Sequence, residues 1–312
     1  MATQEVSLKS LATLQRKRTG KPWGTIALFL IPIMTYYFVF TIYPLLATLY
    51  YSFHNLIPTG GQIVTIFAGF ENYRNLFADD IFIRSVRNTV IWGVVGPTIE
   101  MITSTTLAVL VYFRIPSHRF FRTAWFLPVL VSGVIVGLVF RWIFNYEWGL
   151  LNVGLRALGL DFLALDWLGR VDTPLWVVIF VHWWATFGNS FILILAGLTT
   201  IPDELLEAGY IDGASRVQTV FRIILPLLQP TLITAMIISF IGKMRAFNVV
   251  WVLTNGGPVH ASETVATFVQ KRAFGWSSPD LGYPSAMAMF WFGVVLISAG
   301  LLNRWLRSRM DQ

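Results

Sequence analysis

The order of apolar and ionisable positions along the chain is the first signal. A hydrocarbon core of roughly 30 Å needs about 20 apolar residues in a helix, and stretches of that length recur between the charges. The apolar part of the first runs from about Trp23 to Phe53, within a segment from Lys21 to Glu71 that has no Asp, Glu, Lys or Arg inside it. A second, Asn88 to Phe113, is interrupted only by Glu100. A third lies between Arg122 and Arg141, and a fourth between Asp172 and Asp203. The fifth covers Ile223 to Trp251 with Lys243 and Arg245 inside it, and the sixth lies between Asp280 and Arg304. The pattern predicts an all-α integral membrane protein with six transmembrane helices. A β-barrel would show short alternating strands instead. Pro32 and Pro44 in the first run predict bends, which neighbouring helices tolerate in a bilayer.

Composition agrees. Of 312 residues, 55% are apolar and 12% charged, with a mean hydropathy of +0.64. A soluble domain carries about 25% charged residues, so too few charges are present to cover a water-facing exterior. Disordered chains are polar and charge-rich, and are excluded by the same numbers. The absence of cysteine excludes a disulfide scaffold and a thiolate metal site, and no other metal site is predicted.

Lys9, Arg16, Lys17, Arg18 and Lys21 precede an apolar run too long for a cleaved secretion signal, so the start reads as a signal anchor. With the N-terminus inside, thirteen Lys and Arg face the cytoplasm against eight at or beside the outer loops, and both termini are cytoplasmic. That asymmetry explains the net charge of +7 without a nucleic-acid partner. Trp23, Trp142, Trp148, Trp167, Trp276 and Trp305 lie near span ends, as an aromatic belt requires. The expected organisation is a basic N-terminus (1–22), a six-span domain (23–303) and a short C-terminus (304–312). The outer loops, about 54–81, 144–173 and 254–283, are too short to be domains, and read equally as connectors or as a docking surface for a soluble partner. Asp79-Asp80 reads as solvated turn chemistry.

One polar segment, 200–226, separates the fourth and fifth runs. Thr200 reads as an N-cap, Pro202 suits the first turn, and Asp203 and Glu204 favour a helix N-terminus. Leu205, Leu206, Ala208, Gly209 and Ile211 mix with Glu204, Glu207 and Asp212, giving a short helix with an apolar and an acidic side. Gly213 ends it, and Val217, Val220, Phe221 and Ile224 start a second stripe that Pro226 closes. Two short helices with a glycine joint are predicted on the cytoplasmic side. The inner leaflet is anionic, so the acidic residues favour a protein partner over lipid.

Glu207-Ala208-Gly209, three residues, Gly213, nine residues, then Ile223-x-Leu225-Pro226 resembles the EAA loop of binding-protein-dependent ABC importer permeases. Gly209 stands where Ala is usual. Ile201-Pro202 and Asp212-Gly213-Ala214 resemble the carbohydrate-uptake, maltose-type branch. Further matches are Tyr43-Pro44, Asn72-Tyr73, Arg122-Thr123-Ala124, Gly149-Leu150-Leu151-Asn152 and Thr254-Asn255-Gly256-Gly257-Pro258. The resemblance implies a permease subunit, not an enzyme, that passes a sugar or oligosaccharide across the cell (inner) membrane. It implies an extracytoplasmic solute-binding protein, a second homologous permease (heterodimeric more readily than homodimeric), and a cytoplasmic ATPase dimer. The coupling residues carried over are Glu207, Ala208, Gly209, Asp212, Gly213, Leu225 and Pro226. No Gly-x-x-x-x-Gly-Lys-Ser/Thr is present, so this chain binds no cofactor of its own and ATP with Mg belongs to the partner ATPase.

For the substrate path the residues say less. Charges inside spans are costly and suggest function, which singles out Glu100, Lys243 and Arg245. Each also reads as a member of a Glu100–Lys243 or Glu100–Arg245 pair locking helices together. Trp183, Trp184, Phe187 and Asn189 in the fourth run, with Phe247 and Asn248 in the fifth, offer the rings and amides that sugars bind. Lipid-facing or packing roles are the more usual ones for the rings, and His182 reads as a packed residue. The two cations leave open an anionic cargo, a uronate, a sulfonate or glycerol phosphate. A membrane enzyme acting on lipid-linked sugars would need clustered carboxylates or histidines at one membrane face, and none is found. An ion-coupled carrier would show internal repeats and broken midplane helices, and no repeat is evident.

Overall fold

A computed structural model describes residues 23–59, 62–275 and 281–308. The readings placed on the basic stretch 9–21, on Trp276, Asp280 and the C-terminus beyond Ser308 lie outside the described residues, as do Gly60 and Gly61. The chain divides into two compact units, 1–50 and 51–312.

In the first unit α1 (Trp23–Tyr37) leads through a π-turn (Phe38–Ile42) into α2 (Tyr43–Ser52), which ends just past the unit boundary. The wide turn stops two residues before Pro44. A proline ring clashes with the carbonyl four residues back and donates no hydrogen bond, and widening the preceding turn accommodates both. The same device recurs at Val220–Ile224, two residues before Pro226. There the Leu225 amide reaches back five residues to the Val220 carbonyl.

The second unit opens with an antiparallel hairpin, β1 (His54–Thr59) and β2 (Gln62–Phe67), with Thr59 opposite Gln62. α3 (Glu71–Leu76) follows, and its buried Asn72 donates to the Ser52 and His54 carbonyls at 3.3 and 3.2 Å. α4 (Asp80–Tyr112) starts eight residues before the apolar run does. The reason is Asp79: its carboxylate caps the Ile81 and Phe82 amides at 2.9 and 3.1 Å and accepts from the Tyr283 hydroxyl at 2.7 Å. The solvated-turn reading of Asp79 is thereby corrected.

The third run is not a straight helix. α5 (His118–Phe126) with the tight turn Leu127–Leu130 meets α6 (Gly133–Ile143) at 98°. Pro128 sits in that turn, Val131 is extended, and the Ser132 hydroxyl caps the Val134 amide at 3.4 Å. After α7 (Leu150–Ala157) comes α8 (Pro174–Leu198), then α9 (Asp203–Ile211). α10 (Arg216–Thr219) runs through its π-turn into α11 (Leu225–Met244), forming one helix, Arg216–Met244. Pro226 therefore lies inside a long helix and closes nothing, contrary to the sequence reading. That helix breaks at Arg245–Phe247 before α12 (Asn248–Leu253), so the fifth run is also discontinuous. α13 (Val265–Phe274) and α14 (Gly282–Ser308) complete the described chain.

Among the described residues five helices are long and apolar enough to cross a membrane, counting Ile26–Ser52 as one, and the bent pair brings the number to six if taken as one span. Among the described residues of the second unit three apolar clusters hold the helices. One joins Met101, Ala108 and Val109 of α4 to Phe191, Ile194 and Leu198 of α8 and to Leu228 and Ala235 of α11. A second packs Trp92 and Val178 against Val136 and Val250. A third surrounds Phe82, Phe240, Phe268, Met287 and Trp291.

Candidate functional site

The segment between α8 and α11 is built by local rules. Thr200 does not cap α9: its hydroxyl turns back to the Gly197 carbonyl at 2.8 Å, and Thr199 does the same to Ala196 at 2.7 Å, closing the last turn of α8. Pro202 occupies the cap position, and Asp203 and Glu204 fill the first turn. At the other end the Ala214 amide reaches the Gly209 carbonyl (2.9 Å) and the Gly213 amide the Tyr210 carbonyl (3.1 Å). This paired pattern demands a left-handed residue, and Gly213 supplies it at φ +81°. Ser215 and Gln218 then form a reciprocal capping box that starts the long helix.

Leu206 and Gly209 are the buried face of α9; Glu207, Ala208, Asp212 and Gly213 are exposed. Leu206 enters the cluster formed with Leu198, Ile224 and Leu228, a burial worth about 1.5–3 kcal/mol. A Cβ on Gly209 would lie 2.6 Å from Cδ1 of Ile223. Leu225 and Pro226, carried over with the same motif, lie in the long helix rather than on α9. Among the described residues Glu207 and Asp212 have no hydrogen-bond or ion-pair partner, so two acidic groups stand free on a seated helix.

A second constellation lies inside the bundle. Trp92, Gly96 and Glu100 recur every fourth position on α4, as do His182, Thr186 and Ser190 on α8 and Ser239 and Lys243 on α11. Residues four apart share a helix face, and these three faces meet. Lys243 Nζ pairs with Glu100 Oε2, each side chain only 3% exposed. Ser190 donates to Glu100 Oε1 at 2.5 Å, and Lys243 donates to the Thr186 hydroxyl at 3.2 Å. Of the two pairings open to Glu100, this is the one formed. A buried ion pair offsets its desolvation only with such extra hydrogen bonds, and losing one partner costs about 3–5 kcal/mol. Three buried polar atoms have no partner among the described residues, Trp92 Nε1, His182 Nδ1 and Ser239 Oγ, and all belong to these three faces.

Arg245, two positions from Lys243, points elsewhere and is exposed. A cavity of about 320 Å³ lies between the two helix breaks, bounded by Val131 and Gly133 on one side and by Arg245, Phe247 and Asn248 on the other. His182, Thr186 and Asn189 of α8 form its third wall. Of the residues predicted for a path, Asn189, Arg245, Phe247 and Asn248 share this cavity. Glu100 and Lys243 do not line it; they sit behind Thr186. Trp183 and Trp184 border a separate, mostly apolar cavity of about 470 Å³ with Thr103 and Trp125. There Trp183 Nε1 donates to Thr103 Oγ1 at 3.0 Å and its ring stacks on Phe187. Thr186 and Ser190 were missed in the sequence; their four-residue spacing opposite a lone buried Glu is the signal that could have found them.

The remaining motif residues build loops. Asn152 donates to the Tyr146 and Leu165 carbonyls (3.1 and 2.9 Å) and accepts from Trp167 Nε1 (2.9 Å), so Trp167 braces a loop as well as lying near a span end. Asn88 of α4 holds the Ala261 and Glu263 carbonyls at 3.1 and 3.0 Å. The buried Glu263 carboxylate accepts from Lys271 and Thr267, both at 2.6 Å, and lies 2.9 Å from His260 Nδ1. Gly256, at φ +76°, packs directly on it.

Broken apolar helices around a polar cavity, with an acidic helix set between two long ones, are the architecture of a multi-span transport component. Residues 102–312 match the model of the family described as binding-protein-dependent transport system inner membrane component, and the chain belongs to that family. It is 35% identical over 263 residues to the probable ABC transporter permease protein YurN of Bacillus subtilis (strain 168), covering 84% of this chain and 88% of that protein. It is 33% identical over 280 residues to the multiple sugar-binding transport system permease protein MsmF of Streptococcus mutans serotype c, covering 90% and 93%. The crystal structure of a bacterial ABC transporter involved in the import of the acidic polysaccharide alginate shares the fold. Its TM-score is 0.78 at 22% identity, over 96% of this chain and 99% of that one. The resemblance read from the loop motif is thus borne out. The chain is a permease component of an ABC transport system, a multi-pass inner-membrane protein and not an enzyme.

Proposed function

We propose that the chain is the sugar-passing permease of an ATP-driven importer, with α9 as its coupling helix. Support comes from the conjunction at α9: an exposed Glu207 and Asp212, a glycine-closed end, and a buried face seated on the start of the next span. Because Leu206 and Gly209 tie α9 to Ile223 and Ile224, a push on the acidic side moves the Arg216–Met244 helix as a rigid body. In this reading the acidic side docks into a cleft of a cytoplasmic ATPase, which uses ATP and Mg.

The bent pair α5–α6 is taken as the third of six spans, placing α9 and both termini in the cytoplasm. The domain limits are then 1–22, 23–303 and 304–312. A second, homologous and non-identical permease completes the pore, and an extracytoplasmic binding protein delivers the sugar. The cargo passes the cavity between the helix breaks, where Asn189, Arg245 and Asn248 offer hydrogen bonds and Phe247 an aromatic face. Sugar C–H faces stack on such rings while amides take the hydroxyls. A neutral sugar is preferred over an anionic one because Lys243, one of the two cations behind that alternative, is neutralised by Glu100. Broken helices, assigned in the sequence reading to ion-coupled carriers, do not discriminate, since irregular backbone at membrane depth needs only a cavity to line.

The test is reconstitution in vesicles with the partner permease, ATPase and binding protein, and uptake assayed over a panel of neutral and acidic sugars. ATP-dependent uptake of a neutral sugar, lost on omission of the ATPase, is expected. Uptake by the isolated chain would overturn the proposal.

A further inference from the structure

We propose that Glu100, Lys243 and Trp291 are positioning residues: they fix the break in the fifth span, and with it the cavity face of Arg245, Phe247 and Asn248, while staying out of the cavity themselves. The inference rests on the reading of that cavity as the solute path, and adds what holds it in shape.

A helix that stops inside a bilayer leaves carbonyls without intrahelical partners, and each one unpaired is costly there. α11 stops at Met244. The carbonyl of Met244 is taken by the indole of Trp291, whose Nε1 donates to it at 3.0 Å from α14. One residue earlier, Lys243 is tied to Glu100 of α4 and to Thr186 of α8. The last turn before the break is therefore held from three helices, by bonds to the final two residues of α11. The Arg245 and Ala246 amides turn back onto the Lys243 carbonyl, the latter at 3.2 Å, which sets the direction of the three residues that follow. Thr186 belongs to both assemblies, lining the cavity and bonding the pair.

A latch that merely joins helices does not need this placement. Buried pairs are replaceable by apolar residues of similar volume with little or no loss of stability, so retention of fold and retention of geometry can be separated. The natural chain has no cysteine, which permits a direct readout. Asn248→Cys is introduced in the full transporter in lipid vesicles, and the rate at which a small charged methanethiosulfonate modifies its thiol is measured. Backgrounds are the unaltered chain, Glu100→Leu with Lys243→Met, the exchange Glu100→Lys with Lys243→Glu, and Trp291→Phe. Leu158→Cys, in an exposed loop away from the break, is the control.

The apolar pair and Trp291→Phe are expected to change the modification rate at position 248 by about tenfold, within the range by which such indirect sites modulate coupling, with the control rate and assembled yield kept. The charge exchange restores the rate toward the unaltered value. An unchanged rate at position 248 in the apolar pair and in Trp291→Phe would overturn the assignment. If the apolar pair fails to assemble, Trp291→Phe, which removes one N–H and little volume, decides alone. Protection of the position-248 thiol by a transported sugar reports separately on the path: its absence, with the rates still shifted, would count against the path and leave the positioning role standing.

Discussion

Gly209 of the acidic helix and Ile223 of the long Arg216–Met244 helix lie so close that a Cβ on the glycine would sit 2.6 Å from Ile223 Cδ1. That contact, with Leu206 beside it, joins the exposed acidic face to a membrane-crossing helix. The atom in the way is the free end of a flexible side chain. Gly209→Ala is therefore tolerated: the helix gains roughly 1 kcal/mol in propensity against about 0.5–1.5 kcal/mol if Ile223 is pushed off its rotamer. Gly209→Leu cannot be absorbed and lifts α9 away, lowering ATP-dependent uptake while the chain still inserts. Paired uptake and expression measurements check this.

Glu207 is exposed and unpartnered among the described residues, so Glu207→Ala leaves the fold intact. Capture of the ATPase in detergent should weaken by about tenfold, equivalent to ~1.4 kcal/mol. Gly213→Ala acts differently, because φ +81° costs an L-residue about 1–2 kcal/mol. It frays the end of α9, and susceptibility of the 211–216 region to limited proteolysis should rise.

Gly256 faces both penalties at once, a left-handed φ and direct packing on the buried Glu263 carboxylate. Gly256→Ala should lower the thermal midpoint of the purified protein, at a cost of about 2 kcal/mol or more. An unchanged midpoint would show that the 254–264 loop contributes little to stability.

Arg170 donates to both oxygens of Asp172 at 2.9 Å, and these hydrogen bonds hold the Asp172 carboxyl below the ordinary carboxylate range. A lowered carboxyl contributes at neutral pH and loses that contribution only as pH falls through its lowered value. Both side chains are exposed, so the pair is screened by salt. Asp172→Asn should leave the midpoint unchanged at high ionic strength, and a large shift there would contradict this.

Much of the fold was legible because the apolar runs are long and their spacing needs no tertiary information. The limits were not. α4 begins at a cap, Asp79, that charge-bounded runs overlook, since Arg84 and Arg87 lie inside the helix yet ended the run. The hairpin at His54–Phe67 was passed over although two glycines between strand-like stretches are its ordinary mark. The break at Val131–Ser132 is marked only by Pro128, Ser132 and Gly133 within an otherwise apolar stretch, and that at Arg245–Phe247 coincides with Lys243 and Arg245, charges read as path or pair and not as a helix end. In the 200–226 segment, local rules placed the acidic helix and its glycine end, but Thr200 lost its cap role to a back-bond. Inside the bundle, cost marked Glu100 and Lys243 as unusual, while the choice between pair and path required knowing which faces of α4, α8 and α11 meet.

The most direct measurement places a single cysteine on the exposed side of α9, as Ala208→Cys in the naturally cysteine-free chain. The transporter is reconstituted with its ATPase carrying surface cysteines, and disulfide capture is scored with and without ATP. A specific cross-link whose yield depends on nucleotide is expected, with modification of the introduced thiol by impermeant reagents only from the cytoplasmic side. Labelling from the outside, with no cross-link in either state, would contradict it.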